Sequence, residues 1–231
     1  LGLGEFFYTN GIHADPDTFM DLHAETGHLP GVPRPASEAD GCLIPIGGGK
    51  DSACTIELLK KSGLKLKTYI INPRGATLET VRVSGLPMED SIHAGRTLDK
   101  RMLELNQQGY LNGHTPFSAL VAFSSLITAY LHNLKYIALS NEASANESTV
   151  AGSTVNHQYS KSFKFEQDFH NYEKEYIQSG IYYFSMLRPL SEFQIAEYFS
   201  RHPAYHEVFR SCNVGSKQDI WCGHCPKCLF V

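Results

Sequence analysis

Long hydrophobic runs are missing from this chain. No stretch of about 18 apolar residues occurs, so a membrane-spanning helix is not expected. An excess of basic charge is missing as well: 20 Lys and Arg stand against 24 Asp and Glu, a formal net charge of −4. That balance gives no reason to expect a nucleic-acid partner or an anionic membrane surface. The opening residues, LGLGEFFYTNG, have neither the basic start nor the apolar core of a secretory signal, and a cytoplasmic location is expected. They also lack an initiator Met, and the chain stops on the apolar KCLFV, so a longer protein cut at both ends is expected. No internal repeat or low-complexity tract is visible. Cysteine is scarce until the last twenty residues, which hold four of the six. Cys42 and Cys54 lie in apolar surroundings and read as inert core thiols.

What is present is an ordinary globular composition. The 231 residues are 42% hydrophobic, enough for one sizeable core with an appendage. Residues 1–40 read as a partial N-terminal region with one short helix and a Pro- and Gly-rich connection, HLPGVPRPASEADG. From Gly41 the pattern is regular. CLIPI, LKTYIIN, KYIAL and IYYFSML read as strands, with TLETVRV as a further one. SACTIELLKKSG places Ala53, Ile56 and Leu59 on one helical face and ends at Gly63. GRTLDKRMLELNQQG reads as a helix closed by Gly109. HTPFSALVAFSSLITAYLHNL reads as a long, mostly buried helix with Thr115 as its cap and Pro116 at its first position. Phe165, Phe169, Tyr172 and Tyr176 form a helical stripe that reads as core. SEFQIAEYFSRHP opens with a capping box, Ser191 and Gln194, and stops before Pro203. Strands alternating with helices predict an α/β, doubly wound parallel sheet. On such sheets ligands sit at the carboxyl ends of the strands.

One of those ends carries PIGGGKDS. Gly47, Gly48 and Gly49 let the backbone approach an anion and aim N–H groups at it, and the following helix start adds positive potential. Lys50 and Ser52 add donors. The loop is neither a Walker A motif, because Asp51 follows Lys50 and no glycine precedes Gly49 by five residues, nor a dinucleotide fingerprint, which needs a third spaced glycine. An acidic Asp51 inside a phosphate loop is explained by a magnesium ion carried on the phosphates.

Two polar stretches follow. SNEASANES crowds Ser140, Asn141, Glu142, Asn146 and Glu147 at the end of a strand, a set suited to a metal or a polar substrate. VNHQYSKSF sets hydrogen-bonding groups at six consecutive positions, Asn156, His157, Gln158, Tyr159, Ser160 and Lys161, without strand alternation. His13, His23 and His28 have no such context and read as surface residues. At the end, Cys212 and the run WCGHCPKC give Cys222, Cys225 and Cys228 at metal-ligand spacing. Four thiolates match a closed tetrahedral zinc site, which reads as structural because a catalytic zinc keeps an open position. A site using His224, an iron–sulfur cluster and redox thiols are the alternatives.

The loop GGGKDS resembles the SGGxDS loop of the N-type ATP pyrophosphatases, the PP-loop superfamily, with Gly47 in place of the family's Ser. PIGGGKDS, YIINP, LNGHTPFSA, ALSNEASANE, VNHQYSKSF, RPLSEFQIAEYFS and the cysteine run together resemble the UDP-N-acetylmuramoyl-L-alanyl-L-glutamate epimerases of bacterial peptidoglycan synthesis. This resemblance implies a PP-loop domain over residues 41–205 and a zinc-binding segment over 206–231. It also implies a UDP-linked muramoyl dipeptide as substrate. Its terminal L-Glu is turned to D-Glu through an acyl adenylate, with ATP giving AMP and pyrophosphate. Gly47 to Ser52 would hold the pyrophosphate portion, with Asp51 on magnesium. Asn72, Ser140 and Asn141 would contact the nucleotide. His157, Glu142 and Glu147 become candidates for proton transfer, and Lys161 for stabilising an enolate or the phosphate. Asn146, Asn156, Gln158, Tyr159 and Ser160 would bind the substrate. The cysteine run also looks like the zinc site of the 7-cyano-7-deazaguanine synthases, so a ligase of that kind or a tRNA-modifying enzyme is the runner-up. A non-catalytic nucleotide-binding module is the reading of another class. Oligomeric state is not legible.

Overall fold

The computed structural model describes residues 3–15, 18–21, 23, 40–111, 116–148, 152, 155–156, 158–215 and 218–231. The expectations for Thr115, His28, His157 and most of the 28–41 connection lie outside these residues. The described N-terminal part holds a short helix, α1 (Gly4–Thr9).

The frame is a sheet of five parallel strands: β1 (Gly41–Pro45), β2 (Lys65–Ile71), β3 (Ser91–Ala94), β4 (Tyr136–Leu139) and β5 (Tyr182–Ser185). Their order is β3-β2-β1-β4-β5. Successive strand residues point to opposite faces, and here both faces are covered, which is why the strands read as continuous apolar runs. Leu43 of β1 packs with α5 (Phe117–Leu131) and α6 (Phe163–Tyr172) on one face. Its neighbours Cys42 and Ile44 pack with α2 (Lys50–Leu59) and α3 (Gly75–Ser84) on the other. A third cluster joins Ala53 and Cys54 of α2 to Ile195 and Phe199 of α7 (Glu192–Ser200). Burial pushes the Cys42 and Cys54 thiols up to about 12, so both are inert at neutral pH. The chain runs outward from β1 through β2 to β3, then returns to place β4 on the other side of β1. That reversal opens a crevice between the carboxyl ends of β1 and β4.

Three local readings are corrected. TLETVRV is the body of α3, not a strand: its buried residues, Ala76, Thr77, Thr80, Val81 and Ser84, keep helical spacing, and Gly85 closes the helix at φ 75°. The third strand is Ser91–Ala94, an edge segment of four residues, Ser-Ile-His-Ala, too short for its alternation to stand out. Helix α5 is not mostly buried. It buries Ala122, Ser125, Leu126 and Ala129 and leaves Phe117, Leu120, Phe123, Ile127, Tyr130 and Leu131 exposed, with Pro116 as its N-cap. The aromatic stripe of α6 is core at Phe165 and Phe169 only. Beyond Tyr172 a single π-helical turn, Glu173–Ile177, lets Tyr172 and Tyr176 face solvent. A further helix, α4 (Lys100–Gln107), is capped by Asp99, and the chain finishes in α8 (Pro226–Phe230). No described helix is long and apolar enough to cross a membrane.

Candidate functional site

The glycine loop lies at the carboxyl end of β1, beside the crevice. Gly48 has φ 79°, and a Cβ on it would lie 3.0 Å from backbone atoms of Ala76 and Thr77, so both its conformation and the approach of α3 require glycine. Gly49 is the extended N-cap of α2, and a Cβ there would meet Ser211 Oγ at 2.9 Å. Gly47 is exposed. Ser52 Oγ donates to the Gly49 carbonyl at 3.0 Å. The loop is held from outside by the C-terminal segment. The Arg210 N–H donates to Gly48 O at 2.7 Å, and the Lys50 N–H donates to Ser211 Oγ at 3.2 Å.

A cavity of about 360 Å³ opens over this loop. It is lined by Gly47, Gly49, Asp51 and Ser52, by Ser140 and Asn141 after β4, and by Lys161. Arg74, Arg210 and Lys227 also line it, so four cationic residues border it with Asp51; the Arg210 guanidinium donates to the carbonyls of Glu207, Phe209 and Asp219. Such a lining suits a polyanion. A second cavity, of about 580 Å³, adjoins it over Tyr69, Ile71 and Asn72, sharing Pro45, Gly47, Arg74, Phe117 and Val121 with the first. Asn72 is less available than its position suggests. Its amide donates to Arg96 O at 2.8 Å and accepts from Arg96 N at 2.7 Å, which ties the ends of β2 and β3 together.

Lys50 turns away from the loop-side cavity. It is buried, with Nζ 2.6 Å from Asp51 Oδ1 and 3.4 Å from Glu192 Oε1. Burial alone works against its charge, but Asp51 and Glu192 outweigh this and raise its pKa. Glu142 is half-buried nearby. Burial first, then the charges of Glu192 and Asp51, raise its carboxyl pKa, and its Oε2 is buried without a hydrogen-bond partner. Lys161 is exposed at the cavity rim as a residue, yet the protein around its ammonium desolvates it, and Lys227 adds like charge. Both lower its pKa, against the pull of Asp51 and Glu142.

Arg188 braces the two polar loops. Its guanidinium donates to Glu142 O at 2.7 Å, Lys161 O at 2.6 Å and Ser185 Oγ at 3.2 Å, and it pairs with Glu166 at 3.3 Å. Asn141 Nδ2 also donates to Ser185 Oγ, at 3.1 Å. Glu142 and the other described candidates of the two polar stretches, Asn146, Glu147, Asn156, Gln158, Tyr159 and Ser160, do not line the cavity, and several serve this bracing instead. Asn146 accepts from Phe163 N at 2.7 Å, Asn156 donates to Ala145 O at 2.9 Å, and Tyr159 donates to Asp168 at 2.6 Å. The Gln158 N–H donates to Asn156 Oδ1 at 2.7 Å, Ser160 is buried, and Glu147 is exposed.

The four cysteines come together. The ligand atoms of Cys212, Cys222, Cys225 and Cys228 all lie within 4.8 Å of one another. The sulfur separations are 3.9 Å for Cys212–Cys225, 3.8 Å for Cys222–Cys228 and 3.4 Å for Cys225–Cys228. Tetrahedral zinc at ~2.3 Å from each thiolate requires ~3.8 Å between sulfurs, so the set fits. Backbone N–H groups of Gly215 and Cys222 point at Cys212 Sγ, at 3.1 and 3.4 Å. Backbone N–H groups of Asn213 and Cys228 lower the Cys225 thiol to about 6. Both arrangements favour the thiolate that a metal takes. His224 is exposed and engaged with Cys222 O at 2.7 Å.

Comparison with known proteins decides the family: the model of the MurL N-terminal domain matches residues 1–186. The chain belongs to the MurL N-terminal domain family. Three curated relatives of this MurL-type chain carry the name UDP-N-acetyl-alpha-D-muramoyl-L-alanyl-L-glutamate epimerase. They come from Xanthomonas oryzae pv. oryzae (35% identical), Salinispora tropica (36%) and a Micromonospora species (34%), each aligned over 100% of this chain. The chain spans about half their length, 51%, 50% and 52% respectively. Among solved structures, a predicted subunit of a tRNA methyltransferase from Methanocaldococcus jannaschii superposes with a TM-score of 0.42 at 18% identity, covering 69% of this chain and 75% of that one. In the MurL-type chain the cysteine cluster lies beyond the matched residues 1–186 but inside the alignments to the three relatives.

Sequence reasoning missed Arg74, Arg210, Ser211, Asn213 and Lys227. The only signal for the last four is their adjacency to the cysteine ligands, and nothing local in the sequence tells that the segment folds back onto residue 49.

Proposed function

We propose that this chain binds ATP over the glycine loop and supplies the carboxylate-activating part of an enzyme that epimerises the terminal L-Glu of UDP-MurNAc-L-Ala-L-Glu to D-Glu. The observation that carries this reading is the 34–36% identity, over the whole chain, to three proteins with that name. The four-cation cavity beside the loop supports it. In this reading ATP lies across the two adjoining cavities, its phosphates among Arg74, Arg210, Lys227 and the loop amides. Asp51 would hold a magnesium ion that neutralises phosphate charge. Its Oδ1 meets Lys50, and its side chain is partly exposed at the cavity. The four cysteines would hold a structural zinc ion. The enzyme would work in the cytoplasm, with no nucleic acid involved.

The chemistry follows from the substrate. Removing the α-proton of a free carboxylate builds negative charge beside negative charge. Attack of that carboxylate on the α-phosphorus of ATP expels pyrophosphate and leaves a mixed acyl phosphate, in which the carbonyl carries no charge of its own and acidifies the α-carbon. A neutral Lys161 amine would take the proton, and Glu142 is the second proton-carrying group, returning one from the other face. Water then cleaves the acyl phosphate, releasing AMP and the D-epimer. The test is an assay of AMP and pyrophosphate with each epimer. The reading expects both products in step with D-Glu formation from the L-epimer, and far less from the D-epimer. No AMP with either would overturn it.

A further inference from the structure

The C-terminal cysteine segment does more than sit beside the phosphate loop. The Arg210 N–H donates to Gly48 O at 2.7 Å, and Ser211 Oγ accepts from the Lys50 N–H at 3.2 Å. Asp219 accepts from the Ala76 N–H at the start of α3 at 3.3 Å, and the Arg210 guanidinium donates to Asp219 O at 2.8 Å. The segment approaches closely at two glycines: a Cβ on Gly49 would meet Ser211 Oγ at 2.9 Å, and one on Gly75 would meet Asp219 Oδ2 at 2.9 Å. The segment therefore docks on both elements that frame the cavity. It then contributes to the lining itself, through Arg210, Ser211, Cys212, Asn213 and Lys227. Lys227 sits between Cys225 and Cys228, two of the clustered cysteines, on the short helix α8.

We propose that the four-cysteine knuckle forms half of a polyphosphate-binding site, with Lys227 as an anion-binding residue and Ser211 as the positioning residue that sets the glycine loop. This inference rests on the nucleotide-binding reading above and deepens it. With the sulfurs clustered, Arg210 and Ser211 are held against Gly48 and Lys50, and Lys227 lines the same cavity as Asp51 and Ser52. With the cluster open, the loop loses two backbone partners and the cavity loses one cation.

Binding of inorganic pyrophosphate and of ATP, measured by calorimetry with magnesium present, tests this without relying on turnover. Lys227→Met keeps the aliphatic stem and the cysteines. It should keep its metal and its melting temperature while binding pyrophosphate about ten-fold more weakly or worse, the usual weight of a charge-assisted hydrogen bond. Ser211→Ala should weaken ATP and pyrophosphate alike. Wild-type protein stripped of metal should lose more affinity than Lys227→Met, and regain it when zinc is restored. Wild-type binding that persists unchanged in Lys227→Met and after metal removal overturns the inference and leaves the nucleotide-binding reading standing. Wild-type protein that binds neither ligand overturns both.

Discussion

Lys161 and Glu142 start from ordinary positions on a loop and are moved toward each other in acidity by their surroundings. For Lys161 the cause is desolvation followed by the nearby Lys227, with Asp51 and Glu142 pulling the other way. For Glu142 it is burial followed by Glu192 and Asp51, with Lys50 opposing. A lysine acts as a base only when its amine is neutral, so activity that depends on it rises as pH climbs through its pKa. Because that pKa is lowered, the rising limb of kcat/KM should fall below the ~10.4 of an ordinary lysine. Lys161→Met should flatten that limb and slow epimerisation by about 10²–10⁴-fold. ATP–pyrophosphate exchange should survive better than epimerisation in the variant. An equal loss of both would mean that Lys161 serves only the phosphates. Deuterium from D₂O should enter the α-position of the substrate only when ATP is present.

Helix α7 shows what a short element can be asked to do. Its capping box is complete: Ser191 Oγ accepts from Gln194 N at 3.3 Å, and Gln194 Oε1 accepts from Ser191 N at 2.9 Å. Its first residue, Glu192, reaches Lys50 at the start of α2. Ser191→Ala should therefore cost about 1 kcal/mol in urea unfolding, the usual loss of such a cap, with the midpoint shifted and the slope unchanged. This helix was readable because its cap, its apolar spacing and Pro203 all agree. The strands around the glycine loop were readable for a similar reason, since burial on both faces forces unbroken apolar runs. Helix α3 was not: Thr77, Thr80, Val81 and Val83 look like strand residues, and only tertiary burial on helical spacing settles the matter. The exposed side of α5 was hidden too, because its Phe, Leu and Ile residues carry no polar face to betray it. At the site, three consecutive glycines and the cysteine spacing announce themselves. The contact between residues 50 and 211 has no local code, nor does the diversion of Asn146, Asn156 and Tyr159 into holding loops in place.

At the scale of the molecule, the sheet and the cysteine knuckle are distinct sources of order. Cys225→Ser should lower bound metal and melting temperature together, read by metal analysis and thermal unfolding of the same preparation. Full metal content with unchanged melting would show that three sulfurs suffice. Acidification should release the metal, because protons compete for the thiolates. The docking of Arg210 and Ser211 onto residues 48–50 also has a consequence in time. The last described strand ends at Ser185, so in a growing chain every described strand of the sheet is made before Arg210, Ser211 and Lys227. Synthesis from the amino end thus supplies the described frame first and the clamp on the glycine loop last. A chain interrupted after α7 would carry every described strand of the sheet yet lack both partners that Arg210 and Ser211 give the glycine loop.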